Sequence, residues 1–402
     1  MMKKLLFLWL FFAVLFAACT DDDDNGGEIP MPEVNKVKMI VVNEGLFNTG
    51  TADISVVYED GTTIWNAFER ANGVPMGDVA QSITYINGKY FVALNGSGKI
   101  EVVEPETFKS IGTILYTQKG KPRFMAPIND TVAIVSDIQG QLVRVNTSDY
   151  SVIEYIPLAT NWGVEKIVKI GDKLFGANPA GKGIAVFDID NISEAGKRII
   201  PVLVKDNAKT SKMHLDKNNK LWVLTTGTNT QKESCVFWNC IDPDTEEVLD
   251  VVEIPFLKKG DPNLKIDSPM AGGFLYYRSD ISGDKSTIYF SMNACTDVEN
   301  GTYQLAVFEL NVDTKAYKLY RKTLGVTNMY GMGVSPDGEV YVCDAIDYAA
   351  QRGYLRHFYA NGSETAVKVG VYPRMIWFTE KIKFYKKERK DNAKDFCYYS
   401  CL

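Results

Sequence analysis

The run Val79-Ala-Gln-Ser-Ile-Thr-Tyr-Ile-Asn-Gly88, Lys89-Tyr-Phe-Val-Ala-Leu-Asn95, Lys99-Ile-Glu-Val-Val-Glu104 and Phe108-Lys-Ser-Ile-Gly-Thr-Ile-Leu115 decides the fold. It holds four short segments rich in β-branched and aromatic residues. Asn-Gly, Gly-Ser-Gly and Pro-Glu-Thr turns separate them, so four antiparallel strands in succession are expected. The pattern returns from Arg123, with Thr131-Val-Ala-Ile-Val-Ser-Asp137, Gln141-Leu-Val-Arg-Val145 and Val152-Ile-Glu-Tyr-Ile156. It returns again from Val164, with Lys173-Leu-Phe-Gly-Ala-Asn178 and Ile184-Ala-Val-Phe-Asp-Ile189. Later copies carry Lys220-Leu-Trp-Val-Leu224, Thr287-Ile-Tyr-Phe-Ser291 and Glu339-Val-Tyr-Val-Cys-Asp344. First strands near positions 79, 121, 163, 209, 271 and 328 are spaced by roughly 42, 42, 46, 62 and 57 residues, the period of a propeller blade with insertions in the two longest intervals.

Residues 36–68 hold only three strands: Lys36-Val-Lys-Met-Ile-Val-Val-Asn43, Asp53-Ile-Ser-Val-Val-Tyr58 and Thr63-Ile-Trp-Asn-Ala-Phe68. The missing strand lies at the other end, where Tyr372-Pro-Arg-Met-Ile-Trp-Phe378 repeats the pattern of Lys121-Pro-Arg-Phe-Met125. The expected fold is therefore all-β, a seven-bladed β-propeller of four-stranded antiparallel blades over residues 36–380, its first blade closed by a C-terminal strand. Such closure leaves no long free sheet edge. Helical periodicity is weak throughout, and a two-sheet sandwich is the structural alternative.

The 402 residues are 46% hydrophobic and 23% charged, which suits a large packed core. Two histidines are too few for a His-rich metal site or a His-based triad, and no cofactor is expected. A net charge of -6 gives no electrostatic footprint for nucleic acid. At the N-terminus Lys3 and Lys4 precede the apolar run Leu5 to Phe16 and the small residues Ala17-Ala18 before Cys19. This is the layout of a secretory leader over residues 1–18, too short to span a bilayer. Small residues before a cysteine resemble a bacterial lipobox, which makes Cys19 the lipidation site. Thr20-Asp-Asp-Asp-Asp-Asn-Gly-Gly-Glu28 then reads as part of a solvated acidic tether over residues 19–35. Cys235, Cys240, Cys295, Cys343, Cys397 and Cys401 are left in a compartment where disulfides are permitted, with connectivity open. Residues 381–402, Lys-rich and Cys-containing, form an extension beyond the closing strand.

In a propeller, the loops leading into each innermost strand and those joining the second strand to the third crowd one mouth of the central channel. The expected second-strand ends are Asn43, Asn95, Asp137, Asn178, Asn293 and Asp344, with Thr226 in the fifth blade. Such residues cap turns without any ligand, or line a binding mouth, and the two roles are compatible. The leading loops add Asp78, Gln81, Arg123, Trp162, Asn328, Tyr330 and Arg374, and Glu44, Phe47, Gln139 and Tyr348 lie beside the second-strand ends. Aromatic groups with polar tips suit a pocket for a sizeable polar ligand. Arg123 and Arg374 both follow proline, so each either pairs with a neighbouring carboxylate or meets an anionic ligand. His214, on an inner strand, and His357, on an outer one, have no nucleophile motif nearby and read as packing residues.

The anchor segment, Val42-Asn-Glu-Gly45 with Ala52-Asp-Ile-Ser55 behind it, and the blade from Gly88 to Phe108 resemble the YncE-like seven-bladed propeller lipoproteins of Bacteroidetes. The acidic run after Cys19 is similar to the export signal that sends such lipoproteins to the outer leaflet of the outer membrane. The resemblance implies a non-enzymatic, lipid-anchored surface protein. It would capture a nutrient at the propeller mouth, cobalamin or another corrinoid, and pass it to an outer-membrane TonB-dependent transporter. Contact with the membrane would be through the N-terminal lipid alone. The alternatives are a protein- or glycan-binding scaffold with no small-molecule ligand, and an enzyme such as a lyase or quinoprotein, for which no base, nucleophile or metal cluster is found.

Overall fold

A computed structural model describes residues 36–160, 162–178, 183–202, 212–270, 278–347 and 349–380. The expected leader, the tether with Cys19, and the extension with Cys397 and Cys401 lie outside the described residues, as does Tyr348. Seven antiparallel sheets follow one another along the chain. Blade 1 has the closing strand Pro373–Phe378 innermost, followed outward by Val37–Asn43, Asp53–Tyr58 and Thr63–Ile64. In blades 2 to 5 and 7 the sequence runs outward from innermost strands Ala80–Ile86, Pro122–Pro127, Ile167–Ile170, Met213–Leu215 and Met329–Val334. In blade 6 two short strands, Pro269–Met270 and Ser279–Ile281, both pair with Thr287–Asp297. The ring is closed by Ile40 opposite Trp377 and Val42 opposite Met375, so the first and last described strands share one ladder.

The core is a set of slabs between neighbouring sheets. Strand residues alternate faces with a period of two, and here both faces of the middle strands are covered. Tyr90 and Val92 of blade 2 pack with Ile40, Val42 and Trp377 of blade 1, whereas Phe91 and Ala93 pack with Met125 and Val135 of blade 3. The slab between blades 5 and 6 is strongly aromatic, with Trp222, Trp238, Phe290 and Phe308. Two-sided burial explains why these strands read as continuous apolar runs rather than as clean alternation.

Two details depart from the sequence expectation, and a third bears on a pairing it left open. The third strand of blade 1 ends at Ile64 instead of reaching Phe68, and a short helix, Ala67–Asn72, follows. Its exposed N-terminal groups are satisfied by Asp53, whose carboxylate accepts the N–H of Phe68 at 3.0 Å and of Glu69 at 3.1 Å, and Phe68 itself is buried. Second, the second strands of blades 5 and 6 overrun their expected ends. Leu221–Thr228 continues past Thr226, and Thr287–Asp297 places Asn293 within the ladder, opposite Leu305 and Met270. Partners Ser234–Asp242 and Thr302–Asn311 are within one residue of the same length, so both hairpins extend as paired ribbons. Third, Cys235, Cys240, Cys295 and Cys343 are buried free thiols with no disulfide among them. Burial pushes the thiols of Cys235 and Cys240 up to about 11, which keeps them protonated and unreactive.

Burial also pushes the Asp53 carboxyl up to about 6, with the N–H groups of Ile54, Glu69 and Phe68 limiting the rise. The folded state therefore holds a proton that the unfolded chain releases near the ordinary aspartate value of 3.8. Its contribution to stability is complete below that value and is lost as pH rises through about 6. Relative to Asp53→Asn, the wild type should lose on the order of 2–3 kcal/mol between about pH 4 and pH 7 in urea denaturation. A difference between the two proteins that stays flat with pH would contradict this assignment.

Candidate functional site

Each blade places one side chain at the same end of the axis, at the second residue of its innermost strand or just before that strand. These are Arg374 in blade 1, Gln81 in blade 2, Arg123 in blade 3, Glu165 in blade 4, Lys212 in blade 5, Arg278 in blade 6 and Tyr330 in blade 7. Local register explains the placement. The ladders slip between Ala80 and Ser82, between Pro122 and Met125, between Met329 and Gly331, and at Arg374 between Pro373 and Met375. In blade 4, Glu165 and Lys166 both bond to Ala177. An extra residue in one strand is a β-bulge, which re-aims a side chain. Gln81, Phe124, Glu165, Lys212, Arg278, Arg374 and Met375 line a partly open space with free room inside for about one water.

An ionic chain crosses this space. Arg123 Nε donates to Glu165 Oε2 at 2.7 Å, and its Nη2 bonds the other oxygen of the same carboxylate. Arg374 donates through Nη1 to Glu44 at 2.8 Å and through Nη2 to Glu165 at 3.5 Å. Tyr330 donates its hydroxyl to the same Glu44 oxygen at 3.0 Å, and the Arg278 guanidinium lies 4.9 Å from the centre of the Tyr330 ring. Blades 1 and 4, which are not neighbours, are thus joined across the axis. Burial works against the charge of Arg374, but Glu44, Tyr330 and Glu165 outweigh it and hold its pKa above the usual value. Burial and the Glu44 charge push the Tyr330 phenol up to about 12.

Glu44 reaches the axis because the chain turns sharply after it. Gly45 has φ 74°, and a Cβ there would crowd the backbone of Thr51 and Ala52. The backbone N–H of Glu44 bonds the Tyr372 carbonyl, which fixes this turn against the closing strand's approach.

The sequence candidates separate into two groups. Glu44, Arg123, Tyr330 and Arg374 meet on the axis, with Gln81. The short polar residues mostly serve turns. Asn43 bonds Ser55 Oγ and accepts the Gly370 N–H. Asp137 accepts N–H groups of Lys121 and Gln139, and Asp344 accepts those of Thr327, Asn328 and Ile346. Asp78 accepts the Asn48 N–H, while Asn95 and Asn178 are buried beside their turns. Trp162 is 6% exposed and packs between blades 3 and 4 with the Lys197 amine above its ring at 4.4 Å. Phe47 stands 66% exposed on the turn after Glu44, away from the axial chain. His214 bonds Ser279 Oγ at 2.9 Å between blades 5 and 6, and His357 stacks on Tyr341 at 4.1 Å. Glu165, Lys212 and Arg278 were not anticipated from the sequence. They stand one or two residues before an innermost strand, whereas Arg123 and Arg374 are the second residues of theirs, so nearness to the start of the innermost strand was the available signal. Among the described residues, no group of three or more His, Cys, Asp or Glu is placed to hold a metal ion.

Gly331 sets how closely the innermost strands of blades 7 and 1 approach, since a Cβ there would overlap the Arg374 backbone carbonyl. Gly331→Ala should cost about 1–3 kcal/mol in denaturant unfolding, the range for forcing extra volume into a packed site. An unchanged unfolding midpoint would show that these strands can separate freely.

Comparison with known proteins gives one family, described as "Domain of unknown function (DUF5074)", whose match covers residues 38–248. No curated protein matches. Among solved structures, hydrazine synthase of Kuenenia stuttgartiensis superimposes with a TM-score of 0.51 at 15% identity, over 69% of this chain and 76% of that one. Virginiamycin B lyase from Staphylococcus aureus gives 0.48 at 10% identity, over 72% and 83%. At such identities the likeness concerns the fold alone.

Proposed function

The chain belongs to the DUF5074 family, and from that footing we propose that it is a binding protein, not an enzyme, which takes its ligand at the axial mouth of the propeller. The observation that carries this reading is the axial cluster itself, in which Gln81, Glu165, Lys212, Arg278 and Arg374, from five blades, line one open space, and Arg123, Glu44 and Tyr330 stand against them. Its carboxylates, Glu44 and Glu165, already lie against guanidinium groups, which suits holding a ligand better than moving a proton. The histidines are engaged in packing between and within blades.

The sequence supports the rest of the reading. The leader, Cys19 and the acidic run favour a lipid anchor that holds the propeller at the outer face of the outer membrane. The resemblance to YncE-like lipoproteins favours a corrinoid as the captured nutrient and a TonB-dependent transporter as the acceptor. A corrinoid is too large for the axial space and would lie across the mouth. Calorimetric titration of the full chain with cyanocobalamin should give saturable heat with one site per chain at micromolar protein. Absence of heat would remove the corrinoid from the proposal.

A further inference from the structure

We infer that the axial space is an oxyanion site, where Arg278, Lys212 and Gln81 receive a carboxylate or phosphate group of the ligand. This rests on the axial mouth being the ligand site and names the chemistry that fits it. Around the space stand the cations Arg123, Lys212, Arg278 and Arg374, against the carboxylates Glu44 and Glu165 among the described residues. Asp137 lies near enough to feel Arg123, yet its oxygens face Lys121, Gln139 and Gln141. Arg278 is only 7% exposed, and a desolvated guanidinium meets a carboxylate or phosphate through paired hydrogen bonds.

Gln81 supplies an independent observation. It is 1% exposed, lines the space, and its Oε1 has no hydrogen-bond partner. A buried amide end without a partner is costly in a closed protein. Here a ligand hydroxyl can donate to it, or, with the amide turned over, its N–H can donate to the oxyanion. With free room inside for about one water and one side open, the space takes an oxygen of a single acidic group whose remainder lies outside.

The test is calorimetry of the full chain with citrate and, separately, with inorganic phosphate, each against potassium chloride at matched ionic strength. Saturable binding of at least one anion, weakened tenfold or more by Arg278→Gln and measurably by Lys212→Met, is the expected result. Citrate alone would identify a carboxylate, phosphate alone a phosphate group, and both the shared chemistry. Lys212 is partly exposed, so Lys212→Met keeps the test sound if Arg278→Gln does not fold. No saturable binding of either anion, or binding that no folded variant weakens, would overturn the site. Cyanocobalamin binding without anion binding would overturn the oxyanion site alone. Anion binding without cyanocobalamin binding would leave it standing and remove the corrinoid.

Discussion

The Glu165 carboxylate, held between Arg123 and Arg374, is the constraint around which the rest of the axis is arranged. Glu165 precedes the innermost strand of blade 4, Arg374 belongs to the strand that closes blade 1, and Arg123 comes from blade 3. One buried anion therefore fixes the relative positions of three blades. Buried ion pairs add little net stability, because desolvation offsets much of the attraction, but removing one partner leaves a charge with no solvent to receive it. That asymmetry makes the cluster hard to rearrange and pre-organises the side chains that face the open space.

The apolar slabs do a different job. Each middle strand buries both faces, so every blade is clamped by two neighbours and the driving force for closure is distributed around the ring. Closing through the ladder of Val37–Asn43 with Pro373–Phe378 makes the last slab continuous with the first. The same ladder carries Arg374 into the channel and brings Glu44 beside it, so ring closure and assembly of the axial cluster are one event. A mouth built by all seven blades is rigid because no single loop supplies it, which lowers the ordering cost of holding a ligand.

Much of the fold was legible because a repeated blade leaves repeated turns, and the Tyr372-Pro-Arg-Met echo of Lys121-Pro-Arg-Phe revealed the closing strand. The six-residue helix Ala67–Asn72 was not, since it is under two turns long and depends on the distant carboxylate of Asp53. The long hairpins of blades 5 and 6 were missed because Thr225-Thr226-Gly227-Thr228 reads as loop chemistry, although the strand continues through it. In the site, Arg123 and Arg374 stood out by their shared proline. Glu165, Lys212 and Arg278 share no residue type, and the strand after Arg278 follows an insertion, so only nearness to the start of the innermost strands relates them. The Asn and Asp residues at strand ends were visible for the opposite reason: turn geometry selects them, and Asn43, Asp137 and Asp344 serve that geometry.

A double-mutant cycle between Glu165→Gln and Arg374→Met, read as unfolding free energy in urea, tests most directly whether the axis is one coupled electrostatic unit joining blades across the channel. The account predicts an interaction energy of at least about 1 kcal/mol, as found for residues that share a buried network. Additive effects, with an interaction energy below about 0.3 kcal/mol, would contradict it.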